Sequence, residues 1–188
     1  VRALCTERNV LFIADEIQSG LGRTGKTFCI EHEGVQPDIF ILGKALGGGV
    51  MPISAVVSRT DILDVFTPGV HGSTFGGNPL AAAIARKVVS MLTTGAYQRH
   101  ATEMGAYLME RLQALNSDRI REIRGRGLWV GVELKESAGT ARPYCKRLME
   151  EGVLCKDTHE QVIRLAPPLV ISREEIDWAM ERLEKVLK

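Results

Sequence analysis

Apolar positions fall into short runs in the first half of the chain and into helical stripes in the second. Val10-Leu11-Phe12-Ile13-Ala14 and Ile39-Phe40-Ile41-Leu42 are too short for helices. Both are rich in β-branched or aromatic residues and bounded by polar or turn residues. They read as buried parallel strands. Residues 53–57 read as a further strand of that sheet. Asn78-Pro79 fits a helix start, with Asn78 as N-cap and Pro79 at the first helical position. The predicted helix runs to about Thr93, with Leu80, Ile84, Val88 and Met91 on one apolar stripe. Gly95 breaks the pattern. Beyond it the periodicity predicts a helix to about Leu115 and a strand over 120–134, with Gly125 and Gly127 at a bend or bulge. A helix over 142–151 ends at Gly152, and short strands follow over 153–156 and 162–166. Ser172 and Glu175 spell a capping box for a last helix with Ile176, Met180, Leu183 and Leu187 inward. The expected architecture is α/β: part of a larger sheet domain with helices over residues 1–95, and a small α+β domain over 96–188.

Composition narrows the class without naming a chemistry. The 188 residues are 45% hydrophobic and 25% charged, an ordinary soluble balance. A net charge of +1 makes no electrostatic case for nucleic acid or an anionic membrane. Arg119, Arg121, Arg124 and Arg126 cluster locally, but no aromatic stacking platform accompanies them, so a solvated strand edge or intersubunit pairing is expected. Cys5, Cys29, Cys145 and Cys155 show no CxxC spacing and read as reduced thiols of a reducing compartment, cytoplasm or mitochondrial matrix. The four histidines show no metal spacing, and no apolar run approaches membrane-spanning length. Val1-Arg2-Ala3-Leu4-Cys5 reads as the last turn of a helix begun upstream. The expectation is a C-terminal portion of a longer protein, inactive alone.

The two apolar runs end in chemistry. One leads into Asp15-Glu16, the other into Gly43-Lys44. Ligands of open α/β sheets sit outside the carboxyl ends of the strands, so one carboxylate and one amine can share a rim. That pair suits pyridoxal phosphate: the lysine amine forms a Schiff base with the aldehyde, and the carboxylate keeps the ring nitrogen protonated. Taken singly, Lys44 reads equally well as a strand-end lysine reaching water, and Asp15 as a cap or a salt-bridge partner. A triple glycine, Gly47-Gly48-Gly49, follows Lys44 and permits close backbone approach to a ligand. Residues 20–27 match both GxGxxG and the P-loop pattern GxxxxGK[ST]. Five residues separate that run from its strand, and Gly34 and Pro37 leave little room for the helix either motif needs. A P-loop nucleotide-binding protein is the alternative from another class.

Asp15-Glu16-Ile17-Gln18, Leu42-Gly43-Lys44-Ala45 and the run from His71-Gly72-Ser73-Thr74 to Asn78-Pro79 resemble the signatures of the class III (ω-amino) aminotransferases of fold type I. The resemblance covers essentially the whole chain in order and spacing, and for residues 20–27 implies a surface-lying loop instead of a P-loop. Thr158-His159 and the stretch Ile163-Arg164-Leu165-Ala166-Pro167-Pro168 are most similar to the ornithine-using members. It implies pyridoxal 5'-phosphate as cofactor, Lys44 as the cofactor-bound lysine and proton carrier, Asp15 on the ring nitrogen and Gln18 on the ring hydroxyl. It further implies Ser73 and Thr74 on the phosphate across a homodimer interface, and Arg164 on the α-carboxylate of 2-oxoglutarate or glutamate. From the residues alone, Ser73 and Thr74 also fit a plain Ser/Thr turn, and Arg164 a structural ion pair. Lys44 would need desolvation and nearby positive charge to act as a neutral base. The reaction implied moves the δ-amino group of ornithine to 2-oxoglutarate, giving glutamate semialdehyde and glutamate. Acetylornithine or 4-aminobutyrate as the amine donor is the near alternative.

Overall fold

The computed structural model describes all 188 residues and divides them into two units, Val1–Ala96 and Tyr97–Lys188. The division falls one residue beyond the glycine break at Gly95.

In the first unit, helix α1 (Arg2–Glu7) leads to strand β1 (Ile13–Asp15). Strands β2 (Ile39–Leu42) and β3 (Ala55–Ser58) complete a three-stranded sheet in the order β1-β2-β3. β1 and β2 run parallel, with Asp15 opposite Ile41, and β3 is antiparallel to β2. Asp38 ties the start of the sheet together. One carboxylate oxygen accepts the Phe12 N–H at 2.7 Å and an Arg2 N–H at 2.7 Å, and its carbonyl accepts Ser58 Oγ–H at 2.6 Å. The expected five-residue strand at 10–14 is shorter, pairing over Ile13–Asp15. β1 is the outer strand of three, so nothing pairs its far edge, and Val10, Leu11 and Ile13 are each about half exposed, leaving Ala14 as its buried residue.

Helix α2 (Thr60–Leu63) is a single turn, and α3 (Pro79–Leu92) starts as predicted: Asn78 Oδ1 accepts the Ala81 N–H at 2.8 Å with Pro79 in the first turn. Its inward face is not the expected stripe. Ala81 and Leu92 are buried and Ile84 and Val88 lie near Gly48, whereas Leu80 and Met91 point out. Ile84 and Val88 of the expected stripe face inward, and at its two ends Ala81 and Leu92 take the places expected for Leu80 and Met91.

The second unit is a four-stranded antiparallel sheet with three helices. Helix α4 (Ala96–Gln113) precedes strands β4 (Ile120–Arg126) and β5 (Trp129–Leu134). Helix α5 (Ala141–Glu150), strands β6 (Lys156–Thr158) and β7 (Val162–Leu165) and helix α6 (Arg173–Leu187) follow, and the sheet order is β4-β5-β7-β6. The single strand expected over 120–134 is a hairpin. Arg126 pairs with Trp129 around Gly127-Leu128, and Gly127 takes φ of 56° where Leu128 does not, the sign pattern of a type II′ turn. β6 begins at Lys156 rather than at residue 153, because Gly152 (φ 89°) and the residues after it carry the chain out of α5. The last helix is as its sequence requires. Ser172 Oγ accepts the Glu175 N–H at 3.1 Å, the Glu175 carboxylate accepts the Ser172 N–H at 2.8 Å, and Ile176, Met180, Leu183 and Leu187 are fully buried. Each such side chain contributes roughly 1.5–3 kcal/mol of burial. On the opposite sheet face the arginine cluster is solvated and paired: Arg121 and Arg124 both reach Glu133, and Arg124 also reaches Glu122.

Candidate active site

The register of β1 and β2 sets the site. Asp15 is the last residue of β1 and lies opposite Ile41, three residues before Lys44, so carboxylate and amine leave the carboxyl ends of adjacent parallel strands. Neighbouring strands are about 4.8 Å apart. Asp15 is exposed, and the Ile17 N–H donates to its Oδ1 at 3.0 Å. That bond fixes the carboxylate and leaves Oδ2 free. Glu16, one residue on, projects the other way and is buried.

Lys44 opens a short 3-10 helix, Lys44–Gly47, with a φ of 44°. For a non-glycine residue this left-handed conformation costs of order 1–3 kcal/mol and concentrates at functional positions. Gly43 before it is fully extended, and Gly48 and Gly49 after it take positive φ. The backbone is thus bent sharply on both sides of the amine. Lys44 is exposed, so this chain's own residues do not supply the desolvation expected around it.

A cavity of about 580 Å³ is lined by Lys44 together with Ser73, Gly76, Gly77, Asn78 and Ser54. It opens beside the amino end of α3. Ser73 Oγ accepts the Gly76 N–H at 3.2 Å, which folds the glycine-rich loop onto the helix start. The structure therefore brings Lys44 and Ser73 of one chain to one cavity. Thr74 is exposed and does not line it. Gln18 is half-buried, three residues past Asp15, and its amide makes no hydrogen bond within the chain.

The glycine-rich run over 20–27 is not a phosphate loop. No long helix follows it: the next element is a 3-10 helix, Cys29–Glu33. Nor is it surface-lying. Leu21 and Thr24 are buried, and the Leu21 N–H donates to the Thr27 carbonyl at 2.6 Å, closing the run on itself. One leucine among glycines and polar residues is too little apolar patterning to signal this burial.

Arg164 belongs to the second unit. It is half-buried in β7, opposite Gly131 of β5 and Lys156 of β6. No carboxylate of this chain pairs with it, and Lys156 is likewise unpaired. Two cations directly opposite on one sheet face are destabilising unless an anion joins them. Beside Gly131 the space is taken by Val162, whose Cγ1 would lie 3.2 Å from a Cβ placed there. Lys156 and Gly131 were not singled out from sequence; the strand alternation of residues 156–164 held the signal.

The model of class III aminotransferases matches residues 1–187. The chain belongs to that family. Ornithine aminotransferase of an Exiguobacterium species is 59% identical over 184 residues, 98% of this chain and 45% of that protein. The Bacillus subtilis ornithine aminotransferase is 56% identical over 186 residues, 99% of this chain and 46% of that protein. A solved ornithine aminotransferase from Toxoplasma gondii, described as having partial occupancy of PLP at its active site, superposes with a TM-score of 0.93 at 44% identity, over 99% of this chain and 44% of that one. The chain spans about half the length of the curated relatives it matches.

Class III aminotransferases use pyridoxal phosphate, and the donor set of this chain fits it. A primary amine and a carboxylate with one uncommitted oxygen stand at neighbouring strand ends. Ser73 and a glycine-rich helix start line the amine's cavity within one chain, where the resemblance implied an approach across a dimer interface.

Proposed function

We propose that the full-length protein carrying this chain is a pyridoxal-phosphate-dependent ornithine aminotransferase, moving the δ-amino group of ornithine to 2-oxoglutarate. The observation that carries the reading is the placement of Lys44 and Asp15 past the carboxyl ends of adjacent parallel strands, with the Asp15 carboxylate held by one oxygen and free at the other. The ornithine assignment is supported by relatives of that name at 56% and 59% identity.

The cofactor, when bound, supplies an aldehyde carbon and a ring that takes up the electron pair left when a substrate carbon loses its proton. Lys44 would hold the cofactor through its Nζ and, as a free amine, would accept the proton from the carbon bearing the substrate amine. Asp15 Oδ2 holds a proton on the ring nitrogen. Gln18 would offer its unused amide to the ring hydroxyl, and the Ser73 and Thr74 hydroxyls would serve the phosphate of the partner subunit's site. Arg164 takes a carboxylate of the keto acid in a bidentate fork, and the opposed, unpaired Lys156 supports an anion at that place.

A homodimer is part of the proposal. The loop bearing Ser73 and Thr74 and the segment before it expose Val65, Phe66, Val70 and Phe75, more apolar surface than a free loop ordinarily shows. Sedimentation of the full-length protein should report two chains; a monomer with full activity would remove this part.

The direct test is turnover of the full-length protein with ornithine and 2-oxoglutarate, read as glutamate semialdehyde and glutamate. Ornithine should exceed acetylornithine and 4-aminobutyrate as donor by at least tenfold in kcat/KM. A preference for either of those would replace the ornithine reading with another member of the family.

A further inference from the structure

Glu16 is the most heavily bonded side chain beside the site, and nothing in the proposed reaction uses it. It is 2% exposed, yet it is a carboxylate. Its Oε2 accepts Ser19 Oγ–H at 2.8 Å and the Cys29 N–H at 2.9 Å, and its Oε1 accepts the Ile30 N–H at 2.8 Å. Its backbone is held too: the Glu16 N–H donates to Ile41 of β2 at 2.9 Å, and its carbonyl accepts the Gly20 N–H at 3.0 Å. The chain is folded so tightly over it that a Cβ on Gly20 would lie 2.8 Å from the Glu16 carbonyl oxygen and 3.2 Å from Oε2.

We propose that Glu16 is a positioning residue for Asp15 and Gln18, clamping the turn that aims them. Residue 16 joins three things: strand β2 that leads to Lys44, the buried glycine-rich run, and the 15–19 turn. Asp15 precedes the clamp, and Ile17, whose N–H fixes Asp15 Oδ1, follows it. Gln18 is one residue further. With residue 16 pinned by backbone and side chain, the Ile17 N–H points at one fixed place, and so Asp15 Oδ2 does. The buried run over 20–27 thereby acquires a role: it returns the chain so that the Cys29 and Ile30 N–H groups meet the carboxylate. The inference rests on the reading of Asp15 as the ring-nitrogen carboxylate.

Glu16→Gln in the full-length protein is the test. An amide keeps the size but turns one NH2 toward the Ser19 and Cys29 donors or toward the Ile30 N–H, where two donors then face each other. Measured by visible absorbance, cofactor dissociation should rise at least tenfold, and the pH midpoint of the absorbance band should move. Ser19→Ala, which removes one of the three side-chain bonds and endangers the fold less, should move both readouts in the same direction by a few-fold. A lowered melting temperature with cofactor affinity and pH profile at wild-type values would make Glu16 merely structural and overturn the proposal. If Glu16→Gln is insoluble, unchanged readouts in Ser19→Ala overturn it equally. Asp15→Asn run in parallel separates the two levels. If it too leaves the pH midpoint unmoved, the reading of Asp15 fails. If it moves the midpoint and the Glu16 and Ser19 variants do not, the positioning role alone fails.

Discussion

Replacing Asp15 by asparagine asks the most of the site with the least disturbance to the fold. The side chain stays the same size, and its Oδ1 can still accept the Ile17 N–H that the aspartate accepts at 3.0 Å. That bond is what makes the substitution informative. An amide has one acceptor oxygen, and the backbone claims it, so the NH2 is forced to the position of Oδ2. A donor then faces the protonated ring nitrogen, itself a donor. The variant loses a hydrogen bond between charged groups, worth about 1.5–3 kcal/mol, and leaves a polar group unsatisfied, at about 1–3 kcal/mol more. Together these make roughly 3–6 kcal/mol, or a 10²- to 10⁴-fold fall in kcat at 1.36 kcal/mol per decade. Steady-state kinetics of the full-length protein with ornithine and 2-oxoglutarate would measure it, with a thermal melt alongside. Asp15 is exposed and outside the core, so the melt should stay within a few degrees. Turnover within tenfold of wild type at an unchanged melt would show that Asp15 does not face the ring nitrogen.

Four further outcomes follow from the geometry. Borohydride reduction of the full-length protein with pyridoxal phosphate should fix the cofactor on Lys44, and an adduct mapped to Lys26 or Lys156 would sink the assignment. Arg164→Lys should raise the KM for 2-oxoglutarate at least tenfold with cofactor affinity unchanged, because the planar fork is lost; unaltered dependence on the keto acid would make Arg164 structural. Gly105→Ala should destabilise by about 2 kcal/mol or more despite alanine's better helix propensity, since its Cβ would fall 2.3 Å from the Gly127 carbonyl; an unchanged melt would contradict the close approach of α4 to the hairpin turn. The Phe12 N–H, then Arg2, hold the Asp38 carboxyl below its usual range. Its stabilisation is complete above the ordinary value of about 3.9 and is lost as pH falls through the lower folded value, so Asp38→Asn should flatten the acid limb of a stability profile, and an unaltered limb would remove Asp38 from it.

What the sequence made legible divides along physical lines. Local signals carried through: the Asn78 cap, the Ser172–Glu175 box and the 3.6 spacing of Ile176, Met180, Leu183 and Leu187 depend on residues within a few positions of one another. Strand ends were legible because an apolar run that stops at Asp15 or Gly43 stops for a reason visible in the run. Exposure was not legible, because it depends on what lies beside an element. Leu80 and Met91 sit on the expected stripe of α3 and face outward, while Ala81 and Leu92 are buried. The 120–134 hairpin was hidden by Gly125 and Gly127 together. A bulge and a two-residue turn both call for glycine, and only the pairing of Arg126 with Trp129 decides between them.

The same division explains why residues 20–27 fit two nucleotide-binding patterns and serve neither. A glycine pattern records where the backbone needs φ values or clearances closed to other residues, and it does not record what demands them. In a P-loop the demand comes from phosphate oxygens outside the chain. Here Gly22 and Gly25 take φ of 93° and 89°, and Gly20 lies against the carbonyl and carboxylate of Glu16. The carboxylate that Gly20 lies against is met by the N–H groups of Cys29 and Ile30, just past the run. The motif match therefore records a clearance that Glu16 demands at Gly20, not a cradle of N–H groups for a phosphate. That carboxylate is one residue from Asp15, so the glycines act on the site through the turn that carries Asp15 and Gln18. Substitution of Gly20 by alanine should then resemble loss of the Glu16 clamp, weakening cofactor binding with no effect on any nucleotide.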